Sequence, residues 1–151
     1  MKYIRAIIKI MLGDLTLLIL GCSNKALNPN QNDFTLEIQT ISTDDNYITI
    51  RMELINNSST TYNLMGGDYG DNGLINLITT VNDDEQPTHS QPILKEYKIK
   101  KNSRISKDVK IKLEKGDEYL FKAVAEFYIK DSHSTMRQFS YSSNPIRIKG
   151  E

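Results

Sequence analysis

Cys22, His89 and His133 are the side chains of this sequence suited to nucleophilic, general-base or soft-metal chemistry near neutral pH. One cysteine and two histidines fall short of the converging Cys/His set that a zinc site needs. His89 stands in the run Pro87-Thr88-His89-Ser90-Gln91-Pro92, and His133 in the polar turn Lys130 to Ser134. Neither has a neighbouring carboxylate pattern to orient it as a base, and the chain carries no GxSxG elbow. Both histidines are therefore expected to be solvated loop residues, with a small hydrolase using His89 or His133 as the competing reading.

Oxygen donors cluster in Gly66-Gly67-Asp68-Tyr69-Gly70-Asp71-Asn72-Gly73. Asp68, Asp71 and Asn72 are spaced as weak candidates for a calcium loop, but they lack the EF-hand spacing and its terminal glutamate. Turn chemistry alone accounts for the same residues. A third reading makes Tyr69 an aromatic anchor on a recognition loop. No metal and no cofactor is expected.

Charge is unevenly spread along the chain. Nineteen basic and nineteen acidic residues cancel over 151 positions, which removes the positive field of a nucleic-acid binder, so no nucleic-acid partner is expected. Residues 22 to 86 hold two basic and ten acidic side chains, whereas residues 87 to 151 hold fourteen and eight. Nine of those fourteen lie between Lys95 and Lys115. Such a cluster suits an anionic partner, or else solubilises the outer faces of two strands and discourages edge pairing. If Lys101, Asn102 and Ser103 close a three-residue hairpin, Lys100 faces Arg104 directly, a like-charge pair that an anion would relieve. Lys98, Lys100, Lys101 and Arg104 are accordingly the candidate binding residues, with Tyr69.

Lys2, Arg5 and Lys9 precede an apolar run from Ile10 to Leu20, which has the order of an export signal. The run is about half the length a helix needs to cross a bilayer, and Asp14 interrupts it. Its last residues, Ile19-Leu20-Gly21-Cys22, resemble the lipobox of bacterial lipoproteins. That resemblance implies cleavage before Cys22, a diacylglycerol on its sulfur, and a mature protein held to a membrane facing outside the cytoplasm. The plainer alternative is a core thiol at the end of a buried apolar segment. Residues 22–33 are polar and read as a flexible tether on the order of 20 Å long.

These sites need a frame, and 38% hydrophobic with 25% charged residues supplies a globular one. From Phe34 the period is two: Ile48, Ile50, Met52 and Leu54 alternate with Thr49, Arg51 and Glu53. Strands are predicted at 34–42, 47–56, 61–65, 74–81, 93–100, 104–113, 118–130 and 135–149. Residues 117–128 also fit a helical stripe, but Tyr119, Phe121, Ala123, Ala125, Phe127 and Ile129 give six alternating positions, which favours a strand. The stretch Leu113…Gly116…Tyr119 resembles the approach to strand F of immunoglobulin-like and fibronectin type III domains, and Ser143-Asn144-Pro145-Ile146 resembles the lead-in to their last strand. The resemblance implies that Tyr119 bonds back to the loop before it.

The expectation is an all-β protein: a signal segment (1–21), a tether (22–33), and a single immunoglobulin-like antiparallel β-sandwich of seven or eight strands (34–151). Its expected role is a non-catalytic binding or assembly-accessory lipoprotein of the cell envelope, attached to the membrane through Cys22 and meeting an envelope protein or anionic polymer. Alternatives are a secreted inhibitor of an envelope hydrolase, presenting loop 66–73 or 82–92, and the small envelope hydrolase using His89 or His133.

Overall fold

A computed structural model describes residues 27–44, 46–68, 73–86 and 93–151. Among them are ten antiparallel strands: β1 (Phe34–Asp44), β2 (Tyr47–Asn56), β3 (Tyr62–Asp68), β4 (Ile75–Val81), β5 (Asp84–Glu85), β6 (Ile93–Ile99), β7 (Arg104–Lys112), β8 (Glu118–Lys130), β9 (Met136–Ser142) and β10 (Ile146–Lys149). The order β1-β2-β7 forms one sheet and the other seven strands form the second.

The ten segments reduce to seven rows. Strand β9 runs along one side of β8, so β3 and β4 both lie on its other side. Gly66 pairs with Phe127 and Ile75 with Ala125: the chain spends nine residues where β8 spends two. Thus β3 and β4 are one row with an excursion in its middle, and β6 and β5 flank that row from outside. Likewise β9 and β10 form one row, broken at Ser143 to Pro145. Ser143 spans that break: its amide donates to Ala123 O at 3.0 Å and its hydroxyl accepts from Ala123 N at 3.0 Å.

Period-two burial holds the sheets together. Tyr119, Phe121, Ala123, Ala125, Phe127 and Ile129 are all buried, as the strand reading of this segment predicts, while Ile48, Ile50, Met52 and Leu54 face them from the three-stranded sheet. Phe34 packs across the gap with its ring centroid 5.2 Å from Phe127, edge to face. Apolar burial on both inner faces, at roughly 1.5–3 kcal/mol per large side chain, is the main favourable contribution to the fold.

Three local departures from the predicted elements have physical causes. Gly66 and Gly67 continue β3 instead of opening a loop; a Cβ on Gly66 would strike Leu74 and lie 3.0 Å from Glu126 O, so close packing requires glycine there. Asn82 and Asp83 both take positive φ (51° and 68°), the geometry of a tight primed turn, and this adds the two-residue strand β5. The largest departure concerns the basic segment. Strand β6 pairs with β3 and β7 with β2, so residues 100–103 cross between sheets and no hairpin forms. Lys100 does not face Arg104.

Candidate functional site: the basic turn and the strand ends around it

Tyr62 at the start of β3, Ile99 at the end of β6, Arg104 at the start of β7 and Phe34 at the start of β1 lie at one end of the two sheets, with the turns 57–61, 100–103 and 131–135. Asn56 fixes the basic turn at this end. Its side chain is fully buried; Nδ2 donates to Thr60 O at 2.7 Å and Lys100 O at 3.0 Å, while Oδ1 accepts from the Ser58 amide and hydroxyl. The Asn56 amide donates to Ser103 O at 2.8 Å, and the Asn102 amide, at φ 49°, donates to Ser58 O. A donor–acceptor side chain of this length joins the two turns, whose Thr60 and Lys100 carbonyls also accept from the Ser58 and Ser103 hydroxyls. Lys100 and Lys101 contribute only backbone atoms to these bonds, so their ammonium groups project into solvent. Lys98, on β6, is also exposed.

Arg104 has another task. Its Nη1 donates to Glu53 Oε2 at 3.0 Å, and the Ser106 hydroxyl donates to Glu53 Oε1 at 2.8 Å. The Glu53 side chain is 8% exposed, a carboxylate held on the outer face of the smaller sheet, beside the bidentate pair Arg51–Asp108 at 2.7 Å. Arg104 thus neutralises a buried charge, and the four basic residues expected to act together separate into three free-facing lysines and one structural arginine. The Arg51 guanidinium beside Asp108 holds that carboxyl below its ordinary pKa.

Residues 27–33, the second half of the expected tether, are bonded to the domain. The Ser132 amide donates to Leu27 O, and Leu27 packs on the core. Arg137 Nη1 donates to Asn28 Oδ1 at 3.1 Å and Pro29 O at 3.0 Å. Asn30 and Asp33 cap a short 3₁₀ turn, Gln31–Asp33, reciprocally. The Tyr62 hydroxyl donates to Asp33 Oδ2 at 2.6 Å and Tyr141 to Gln31 O at 2.9 Å. Burial pushes the Tyr141 phenol up to about 12, with the Asp33 carboxylate adding to the shift. These contacts pin the chain a few residues before β1 at the same end as the basic turn.

The other predicted residues are not gathered here. His133 is exposed in the turn after β8, where its amide donates to Asp131 Oδ1. Asp68 closes β3 opposite Ile93. Cys22, Tyr69, Asp71, Asn72 and His89 lie outside the described residues. Among the described residues, no group of three or more His, Cys, Asp or Glu side chains is placed to hold a metal ion. Tyr119 is buried and its hydroxyl accepts from the Glu114 amide at 2.7 Å, in the place expected for it.

Sequence reasoning missed Asn56, Glu53 and Arg137. Asn56 carried a signal: it ends an alternating strand at an inward position, immediately before the turn residues Asn57-Ser58-Ser59-Thr60. Glu53 carried none, because an outward position in a three-stranded sheet gives no hint of burial.

No protein-family model and no curated protein matches the sequence. Among solved structures, the X-ray structure of Northeast Structural Genomics Consortium target SoR45 is similar at 10% identity, over 81% of this chain and 90% of that one, with a TM-score of 0.43. A crystal structure of a protein from Archaeoglobus fulgidus is similar at 8% identity, over 78% and 96% of the two chains, with a TM-score of 0.38. Both likenesses are too distant to assign this chain a family or a function.

Proposed function

We propose that this chain is a non-catalytic, lipid-anchored module of a bacterial cell envelope, which binds or helps assemble an envelope partner through its basic turn. The observation that carries the reading is the pinning of the basic turn, with the Lys100 carbonyl held by Asn56 and the Lys101 amide by the Thr61 hydroxyl, at the strand ends where residues 27–33 also dock. Fixing the backbone in advance lowers the ordering cost of binding, while the ammonium groups stay available to an anionic ligand. The frame is read as immunoglobulin-like: three rows (β1, β2, β7) face four, and the Tyr119–Glu114 bond stands where such domains place their tyrosine corner. Cys22, five residues before Leu27, is the lipid attachment site in this reading.

Cells expressing the full chain and fed a labelled fatty acid test the anchor. Wild type is expected to take up label and sediment with membranes, and Cys22→Ala to do neither. An unlabelled wild type refutes the anchor. Cross-linking from Lys100 and Lys101 to an envelope component, lost in Lys100→Ala/Lys101→Ala, tests the binding surface.

A further inference from the structure

Next to the basic turn, the outer face of the larger sheet carries apolar side chains in solvent. Met65 pairs with Tyr128 across β3 and β8, and Met136 pairs with Lys130 across β8 and β9. Met65, Tyr128 and Met136 are 42%, 37% and 44% exposed, and they line a cleft of about 190 Å³ together with Asn63, Glu96 and Lys130. Lys98 pairs with Asn63, so Lys98 and Lys130 stand on either side of Asn63 in the cleft's outermost row, and Lys100 and Lys101 follow within three residues of Lys98. Glu96 is the one carboxylate in the lining. The nearby Asp131 carboxylate accepts from the Thr135 and His133 amides of its own turn, which hold it below its ordinary pKa.

We propose that this cleft and the basic turn together form a docking surface for anionic phospholipid, with Lys98, Lys100, Lys101 and Lys130 at the headgroups and Met65, Tyr128 and Met136 at the acyl boundary. Cationic side chains rimming an amphipathic apolar patch match the layering of a bilayer interface, where methionine and tyrosine bury apolar surface while lysines reach headgroup phosphates. Chain length points to the same occupant. Leu27 is bonded at this end, and the five steps back to Cys22 span at most about 18 Å. A lipid on Cys22 would therefore keep this end of the domain within reach of the bilayer, raising the local concentration of headgroups. That last step rests on the anchor reading above; the charge and the apolar layering do not.

The test uses the full chain as purified from membranes, reconstituted into vesicles of phosphatidylcholine alone or mixed with phosphatidylglycerol. Lysine acylation rates are read residue by residue by mass spectrometry. Lys98, Lys100, Lys101 and Lys130 should be acylated several-fold more slowly with phosphatidylglycerol present, and added salt should erase the difference. Lys110 and Lys112, toward the other end of β7 on the opposite sheet, should not change. In Lys100→Ala/Lys101→Ala the protection of Lys98 and Lys130 should weaken, at about fivefold in membrane attraction per lysine removed. Met65→Ser/Met136→Ser should weaken it with the charges kept. Equal rates in the two vesicle types, or equal slowing at Lys110 and Lys112, would overturn the proposal. A soluble polyanion that protects the same lysines in neutral vesicles as well as phosphatidylglycerol does, with no effect of the methionine changes, would overturn it in favour of a polymer site. The intact mass of the same sample reports separately whether Cys22 carries lipid, so failure of the anchor and failure of the docking surface are distinguishable.

Discussion

Arg104 donates to the Glu53 carboxylate at 3.0 Å across β7 and β2, and with the Ser106 hydroxyl it leaves neither carboxylate oxygen unpaired. Glu53 is nearly inaccessible while the arginine is 60% exposed, so the pair is partly screened. Arg104→Ala should cost about 2 kcal/mol, less than for a fully buried pair. Arg104→Glu should cost more by placing two carboxylates together, and chemical denaturation of both variants checks this. Glu53→Gln should soften the effect of Arg104→Ala, which a double-mutant cycle reads directly.

Asn56 makes bonds to both turns with a side chain that has no solvent to fall back on. Asn56→Ala should cost about 3 kcal/mol, and Asn56→Asp at least as much, because a carboxylate would face the Thr60 and Lys100 carbonyls. Proteolytic nicking within 57–61 or 100–103 should increase in both variants. Unchanged stability and nicking would mean that the turns hold themselves.

Tyr119→Phe removes the acceptor of the Glu114 amide and should lower stability by about 1 kcal/mol. Thermal unfolding of the two proteins side by side measures it. Gly116, two residues beyond Glu114, sits at φ +88°, and Gly116→Ala should cost a comparable amount through backbone strain.

The phenol of Tyr141 stays protonated in the fold to about pH 12, against an ordinary value of 10.0. The folded chain thus binds the proton more tightly than the unfolded chain. The resulting stability is present in full below about pH 10 and is lost as pH rises towards 12. Tyr141→Phe should flatten that part of the stability profile, although it also leaves Gln31 O without its donor. Phenolate absorbance of wild type should show one late-ionising tyrosine more than the variant. Identical alkaline profiles would remove the half-buried phenol from the account.

Where the sequence was legible, one physical pattern sufficed. Burial of alternate residues in β2 and β8 follows from the two-residue period of an extended chain with one face on a core, and six of six expected positions in β8 are buried. The Tyr119 bond was legible only through the resemblance of Leu113…Gly116…Tyr119 to the approach to strand F of immunoglobulin-like domains. What failed was pairing across a short connection. Lys101-Asn102-Ser103 has the length of a hairpin loop, but length does not say whether the next strand returns beside the last or crosses to the facing sheet. The crossing is fixed by Tyr62 opposite Ile99 and Leu54 opposite Ile105, contacts between residues dozens of positions apart. The candidate site changed with it, since Arg104 belongs to Glu53 once β7 lies against β2. The docking of residues 27–33 was invisible for a related reason: a polar run such as Asn28-Pro29-Asn30-Gln31 looks like solvated chain until Arg137, more than a hundred residues away, bonds to it.

The central proposal is that a lipid on Cys22 holds this domain to a membrane with its basic turn alongside. Intact-mass spectrometry of the chain purified from the membranes of the expressing cells tests it most directly. The account predicts a mature protein that begins at Cys22 and is heavier than residues 22–151 by a diacylglycerol, with or without a further acyl chain. A chain that retains Met1, is cut at another position, or carries a free Cys22 thiol would contradict it.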